Sequence, residues 1–207
     1  MNKKTIEFYN KNAQCYTAST ISIDVSKEIK DFLIGIPNGG YILDVGCGSG
    51  RDLKIFSALG YGVQGIDASE ELVKIAKKNS GVPVESKNFL EIDYQNQFDG
   101  IWCMASLVHL KKDELQIVLE KLYEAMKPNA KLYASFKWGS GESYDEKGRF
   151  FSYWKEEEIK EIFKSIDKFK NINFELAKTD KLGRTNTQWL NVYATCNKPQ
   201  LNSRFKS

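Results

Sequence analysis

Short apolar runs alternate with amphipathic stretches through the middle of the chain. Tyr41–Val45 (YILDV), Val63–Ile66 (VQGI), Val82–Ser86 (VPVES), Phe98–Met104 (FDGIWCM) and Lys131–Phe136 (KLYASF) predict strands. Between them, Asp52–Leu59, Ser69–Asn79 and Lys111–Met126 carry apolar residues at helical spacing. In the last of these, Leu115, Val118, Leu119, Leu122 and Met126 form one stripe. Pro128 and Asn129 then stop the helix and turn the chain into the next strand. This alternation predicts an α/β fold, a parallel sheet with helices on both faces.

The final quarter changes character. Lys155–Ile166 predicts a helix, and Phe169–Thr179 and Gln188–Cys196 predict two strands. Their connection, DKLGRTN, is rich in turn residues and too short for a helical crossover, so the two strands should be antiparallel neighbours. Ahead of the first strand, Thr5–Tyr16 and Val25–Phe32 predict helices. No internal repeat, low-complexity tract or linker interrupts the pattern. The expectation is a single domain over 1–207, with a helical segment over 1–36, a core over 38–198 and a frayed tail over 199–207.

Composition narrows the class. A length of 207 residues with 42% apolar and 28% charged positions fits one globular domain and argues against a disordered or fibrous chain. The net charge is +3, and lysines interleave with glutamates in KKDELQ and KEEEIKEIFK. That pattern marks solvated helix faces, not the concentrated basic stripe of a nucleic-acid binder. No run approaches the ~18 consecutive apolar residues of a membrane span. The opening MNKKTIEFYNKN places polar residues where a signal peptide has its apolar core. A cytoplasmic location without a membrane partner is expected. Cys15, Cys47, Cys103 and Cys196 form no C-x-x-C pair and His109 is the sole histidine, so reduced thiols and no metal are expected.

The strongest chemical signal is Ile42-Leu43-Asp44-Val45-Gly46-Cys47-Gly48-Ser49-Gly50-Arg51-Asp52. An apolar strand runs into three alternate glycines, and a helix follows. Glycine removes the Cβ, so a ligand can lie against the backbone, and the helix start beyond it offers unpaired N–H groups. A second strand then ends in Gly65-Ile66-Asp67, where an α/β fold holds both hydroxyls of a ribose. A dinucleotide fingerprint would read G-x-G-x-x-G, but Arg51 stands at the expected third glycine. Asp44 is also poorly placed for a pyrophosphate and well placed for an ammonium group.

The stretch LDVGCGSG with Asp67 resembles the first two motifs of the class I S-adenosylmethionine-dependent methyltransferases, here of the small bacterial type. Lys87-Asn88-Phe89-Leu90 resembles the third motif, although the family more often has Asp where Asn88 stands. Phe98–Leu110 resembles the fourth strand and its loop. Lys127–Leu132 resembles the turn into the fifth strand, although the family usually has Gly where Asn129 and Ala130 stand. The resemblance covers roughly residues 38–137. It implies a Rossmann-like methyltransferase fold, a seven-stranded, mostly parallel sheet whose last strand inserts antiparallel.

It also implies S-adenosyl-L-methionine as cofactor, held by Asp44, Gly46, Cys47, Gly48, Gly50, Arg51, Asp67 and Ala68. Asn88 and Phe89 would serve the adenine, and Met104 and Ala105 the methionine part. Cys47 reads as a small packing residue in that loop. Arg51 either meets the methionine carboxylate or merely opens the helix.

The acceptor is expected beyond the carboxyl ends of the strands. There lie the loop after Met104, the turn Thr179–Thr187, and the long loop Lys137–Trp154 with Trp138, Tyr144, Arg149 and Tyr153. Aromatics with one arginine suit a small, partly apolar or anionic acceptor; a self-packed surface loop is the other reading. Tyr9–Tyr16 is the candidate lid, with Tyr9 and Tyr16 facing the substrate. Arg184 either binds an acceptor carboxylate or is solvated. His109 is the one candidate base, or else a structural support. The function expected is methyl transfer to a small-molecule acceptor by a monomer or homodimer. The alternatives are a methyltransferase of tRNA or protein, and a non-catalytic S-adenosylmethionine-binding partner or regulator.

Overall fold

The five apolar runs pair side by side. In a computed structural model that describes residues 2–177, 180–184 and 187–200, they form β1 (Tyr41–Val45), β2 (Gly62–Asp67), β3 (Val84–Ser86), β4 (Phe98–Cys103) and β5 (Met126–Trp138). All five are parallel, in the order β3-β2-β1-β4-β5. Such an order requires crossovers, and helices supply them.

Six helices are described: α1 (Lys3–Thr20), α2 (Ser26–Leu33), α3 (Arg51–Ala58), α4 (Glu70–Ser80), α5 (Lys112–Ala125) and α6 (Glu156–Ile166). Alternation along the strands splits the core in two. Leu43, Val45, Ile101, Cys103, Leu132 and Phe136 cluster with α5 and α6. Ile42, Val63, Trp102 and Tyr133 cluster with α2, α3 and α4. In the second core Trp102 stacks on Tyr133 at 4.1 Å between ring centroids.

Residues 137–154 correct the reading of one long loop. The chain forms a hairpin there, β6 (Glu142–Tyr144) and β7 (Phe150–Trp154). Asp145 holds the turn by accepting from the Lys147 and Arg149 amides, and the turn passes through Gly148 at φ 77°. The aromatic run of β7 then buries Phe150, Phe151, Ser152 and Trp154 and pairs in parallel with the end of β5.

The last strands, β8 (Phe169–Ala177) and β9 (Trp189–Cys196), are antiparallel neighbours as predicted, and β9 inserts antiparallel beside β5. The seven-stranded path β3-β2-β1-β4-β5-β9-β8 is therefore present, and the hairpin raises the sheet to nine strands. The predicted strand residues Lys178 and Thr179, residues Thr185 and Asn186 of the turn, and the tail from 201 lie outside the described residues.

α1 is longer than Thr5–Tyr16 at both ends and is kinked at Asn12, whose φ of −113° breaks the helical course. It lies against α4, with Tyr9 and Ala13 packed on Leu72. Among the described residues, no helix is long and apolar enough to cross a membrane.

Candidate functional site

The loop after β1 is pinned before any ligand is considered. The Gly46 and Cys47 amides donate to the Ile66 carbonyl at 2.8 and 3.0 Å, which ties the loop to the end of β2. The three glycines are not equivalent. A Cβ on Gly46 would stand 2.4 Å from the Ser106 Cβ, and one on Gly50 would stand 2.9 Å from the backbone of Ala76. Those two permit close packing of protein on protein. Only Gly48, at φ 55°, turns its bare face to the crevice, where the Tyr16 ring lies 3.3 Å from the position of a Cβ.

Asp67 ends β2 and is buried. Its Oδ2 accepts from the Gly48 amide and its Oδ1 from the Ser69 amide, each at 2.9 Å. Burial pushes its carboxyl up, and the Ser69, Gly48 and Ala68 amides oppose that rise. Two oxygens with four acceptor positions leave room for further donors.

Asp44 lies across the loop on β1. It is buried, and its Oδ2 has no hydrogen-bond partner. Burial first, and the neighbouring Asp52 carboxylate second, hold its carboxyl well above the usual carboxylate range. The Arg51 charge opposes that rise without overcoming it. The guanidinium is bound to Asp52 through Nε at 2.6 Å and Nη2 at 2.9 Å, and it also reaches the Thr20 carbonyl at the end of α1. Trp102 Nε1 donates to the same Asp52 carboxylate at 2.9 Å. A second orphaned atom, Ser106 Oγ, lies on the loop after β4. Buried polar atoms without partners cost about 1–3 kcal/mol each, so two on the walls of one crevice mark a place built for donors and acceptors from outside.

The loop after β4 is strained and supported. Ala105 has φ 51°, a left-handed backbone rare for a residue with a Cβ, and its amide donates to Ser135 Oγ at 2.7 Å. His109, farther along, is fully committed. Its Nδ1 lies 2.7 Å from the Phe150 carbonyl, which can only accept, so Nδ1 carries the proton. Nε2 is then the acceptor for the Tyr9 hydroxyl at 2.9 Å. Burial pulls the imidazole down to about 4, so it is neutral at pH 7. The Tyr9 hydroxyl is pushed up to about 12, chiefly by burial.

These elements enclose a cavity of about 350 Å³ over the carboxyl ends of β1, β4 and β5 and the amino end of the antiparallel β9. Of the residues singled out from sequence, Asp44, Gly46, Cys47, Gly48, Arg51, Met104, Ala105, His109, Tyr9, Tyr16, Arg149 and Arg184 line it. A narrower space of about 30 Å³ adjoins Asp67 and Phe89, beneath Tyr9 and Tyr16. Gly50, Ala68 and Asn88 line neither space; the Asn88 side chain accepts from the Leu90 amide at the start of a single 3-10 turn.

Trp138, Tyr144 and Tyr153 are likewise not on the cavity wall. Tyr144 is exposed on the hairpin and accepts from Asn2 Nδ2, and the Lys155 ammonium sits 4.4 Å from the centre of the Trp138 ring. Tyr133, Ser135 and Lys137 of β5, with Trp189 and Asn191 of β9, do line the cavity and were not singled out. Their signal was the two-residue period of β5, which puts 133, 135 and 137 on one face.

Comparison with known proteins bears on the domain and the fold. Residues 42–129 match a family model described as a methyltransferase domain. A ubiquinone biosynthesis O-methyltransferase of Xanthomonas axonopodis pv. citri is 34% identical over 106 residues, which is 48% of this chain and 44% of that protein. The 24-methylenesterol C-methyltransferase 3 of Arabidopsis thaliana is 29% identical over 153 residues, 70% of this chain and 40% of that one. The chain thus spans less than half the length of these curated relatives.

Among solved structures, the Burkholderia thailandensis 1,6-didemethyltoxoflavin-N1-methyltransferase superposes with a TM-score of 0.72 at 18% identity, covering 93% of this chain and 85% of that one. The Haemonchus contortus phosphoethanolamine N-methyltransferase 2 gives 0.74 at 15% identity, covering 96% and 61%. Residues 42–129 are thus similar to a methyltransferase domain, and the chain shares the fold of these solved methyltransferase structures.

Proposed function

We propose that the chain binds S-adenosyl-L-methionine along the loop from Val45 to Asp52 and transfers its methyl group to a small-molecule acceptor. The observation that carries this reading is the orphaned, buried Asp44 oxygen on the wall of a 350 Å³ cavity. When bound, S-adenosylmethionine supplies a methyl group activated by a sulfonium.

Each residue has a part that follows from its surroundings. Asp44 accepts from the amino acid's ammonium group. Gly48 keeps the backbone bare, and Asp67, oriented by the Gly48 and Ser69 amides, has lone pairs left for ribose hydroxyls. Phe89 and Ser106 border the nucleoside side, and Met104 and Ala105 border the methionine side. Tyr9 and Tyr16 roof the crevice and exclude water.

Both His109 nitrogens are engaged, so the imidazole holds Tyr9 in place and takes no proton from an acceptor. Catalysis then rests on aligning two reactants, which is worth up to ~7–11 kcal/mol in well-oriented systems.

A small acceptor fits better than a nucleic acid. Arg149, Arg184 and Lys181 on the cavity wall are each paired with a carboxylate, from Asp145, Asp180 and Glu28. A phosphate backbone would need them free. The relatives, a ubiquinone-pathway, a sterol and a toxoflavin-pathway methyltransferase, also point to small molecules. Calorimetric titration with S-adenosylmethionine and with NAD tests the reading. One-to-one binding of the first and none of the second is expected, and the reverse would overturn it.

A further inference from the structure

Most basic groups around the cavity have carboxylate partners, and one half-buried lysine does not. Arg149 grips Asp145 through Nε and Nη2 at 2.8 and 2.6 Å. Arg184 grips Asp180 the same way, and Lys181 reaches Glu28 at 2.6 Å. Lys137, at the end of β5, lines the same cavity and makes no hydrogen bond or ion pair with any described residue. The residues outside the described set include no aspartate or glutamate, so no acidic side chain of the protein is left to neutralise it.

Its surroundings hold it in place. The Lys137 Nζ lies 3.6 Å from the centre of the Phe151 ring and 5.7 Å from that of Tyr153. An ammonium over a ring face is stabilised as a cation. Register places Trp189 of β9 directly opposite Lys137, and Asn191 opposite Ser135, so a polar and aromatic ladder leads from the strained Ala105 loop to the ammonium. Burial first, and the facing Arg184 and Arg149 guanidiniums next, pull the ammonium down to about 8, while Asp145 and Asp180 oppose them. The lysine is still mostly protonated at pH 7, in a place where no carboxylate of the described residues is in contact with its charge.

We infer that Lys137 anchors an acidic group, a carboxylate or a phosphate, carried by the methyl acceptor, whose flat or apolar body lies against Phe151 and Trp189. Only the word acceptor rests on the methyl-transfer reading; the anion site can be tested without it. A general base at this position would need the free amine, whereas an anchor needs the charge. An arginine therefore replaces an anchor and cannot replace a base.

The probes are benzoate, phenyl phosphate and neutral benzamide, titrated by calorimetry into the protein alone and into protein saturated with S-adenosylhomocysteine. At least one anion should bind about tenfold or more tighter than benzamide, as a charged hydrogen bond in a sheltered site allows. The preference should vanish in Lys137→Gln, persist in Lys147→Gln at the exposed mouth, and return in Lys137→Arg. The tighter of the two anions identifies the group as carboxylate or phosphate.

The inference is overturned if no probe binds, if benzamide matches both anions, or if the preference survives in Lys137→Gln. Binding of the anions without any binding of S-adenosylhomocysteine would sink the methyl-transfer reading and leave the anion site standing. The opposite pattern would do the reverse.

Discussion

Asp44→Ala should make the ligand-free protein more stable and the cofactor site worse. In the folded chain the Asp44 Oδ2 is buried with no donor, and the Asp52 carboxylate lies close enough to push its carboxyl upward. Removing the group relieves an unmet polar atom, worth about 1 kcal/mol at the lower end of such penalties, or about 2–4 °C in melting temperature for a chain of this size.

The pH dependence has a definite sign. An acid whose folded value is raised binds its proton more readily in the folded state, so its contribution to stability is present at low pH and is lost as pH rises through the raised value. The stabilisation from the variant should therefore be small near pH ~4 and larger near pH ~8. Binding moves the other way. A charged hydrogen bond to an ammonium is worth about 1.5–3 kcal/mol, so S-adenosylmethionine affinity should fall roughly 10- to 150-fold. Differential scanning fluorimetry across pH and isothermal calorimetry read the two effects. An unchanged dissociation constant, with a melting temperature that does not rise at any pH, would refute the reasoning.

His109→Gln should flatten the acid limb of stability. The imidazole value falls from 6.5 to about 4 on folding, so its contribution is full above the unfolded value and is lost as pH falls through about 4, roughly 3 kcal/mol in all; an unaltered melting profile between those limits would count against the neutral imidazole. Gly46→Ala should cost roughly 3 kcal/mol or more, because the new Cβ meets Ser106 at 2.4 Å. Gly81→Ala has the same sign of φ and nothing within 4 Å, and should cost only about 1 kcal/mol; equal losses in urea titrations would show that backbone strain, not the Ser106 contact, sets the effect at Gly46. Asp67→Ala should weaken S-adenosylmethionine binding by about 1.5–3 kcal/mol, and unchanged affinity by calorimetry would remove the ribose role.

The sheet was legible because each parallel strand is a short apolar run and each crossover helix carries its own stripe. The insertion of β9 beside β5 was legible from a connection too short for a crossover. Lys137–Trp154 was not legible as structure. Its Gly-Ser-Gly and Asp-Glu-Lys-Gly stretches are turn chemistry, while β6 is only three residues long and exposed, so neither alternation nor length gave it away.

The site divides in the same manner. Asp44, Gly48 and Asp67 carry a local pattern that can be read in one dimension. Ser106, Ser135 and Lys137 act through neighbours far along the chain. Ser135 matters because the Ala105 amide reaches it, and Lys137 because the carboxylates of Asp145 and Asp180 are taken by arginines. No window of sequence contains those facts.

The roof sets the terms on which the crevice can be filled. Beside Asp67 and Phe89 the free space is about 30 Å³, room for a water or two and far short of a nucleoside. On the proposed binding mode the roof of Tyr9 and Tyr16 must open before a nucleoside can occupy that end, and the attachments of α1 show what opposes the opening. It is tied by polar contacts of Tyr9 to His109, Thr5 Oγ1 to the Phe150 amide, Asn10 Oδ1 to Ser69 Oγ and the Glu71 amide, and the Thr20 carbonyl to Arg51. Its apolar packing is modest: Tyr9 and Ala13 are buried on Leu72, and Phe8, Tyr16 and Ile75 are partly buried against them.

A helix with modest apolar packing can open locally for less free energy than global unfolding requires, and the kink at Asn12 divides it into two segments. The opening is not free, because Tyr9 and His109 are both buried and both lose their partner when it happens. Any affinity measured for the cofactor is thus lowered by the fraction of molecules with the roof displaced. On the proposed binding mode, the contacts of Asp44, Gly48 and Asp67 are correspondingly stronger than the observed constant will suggest.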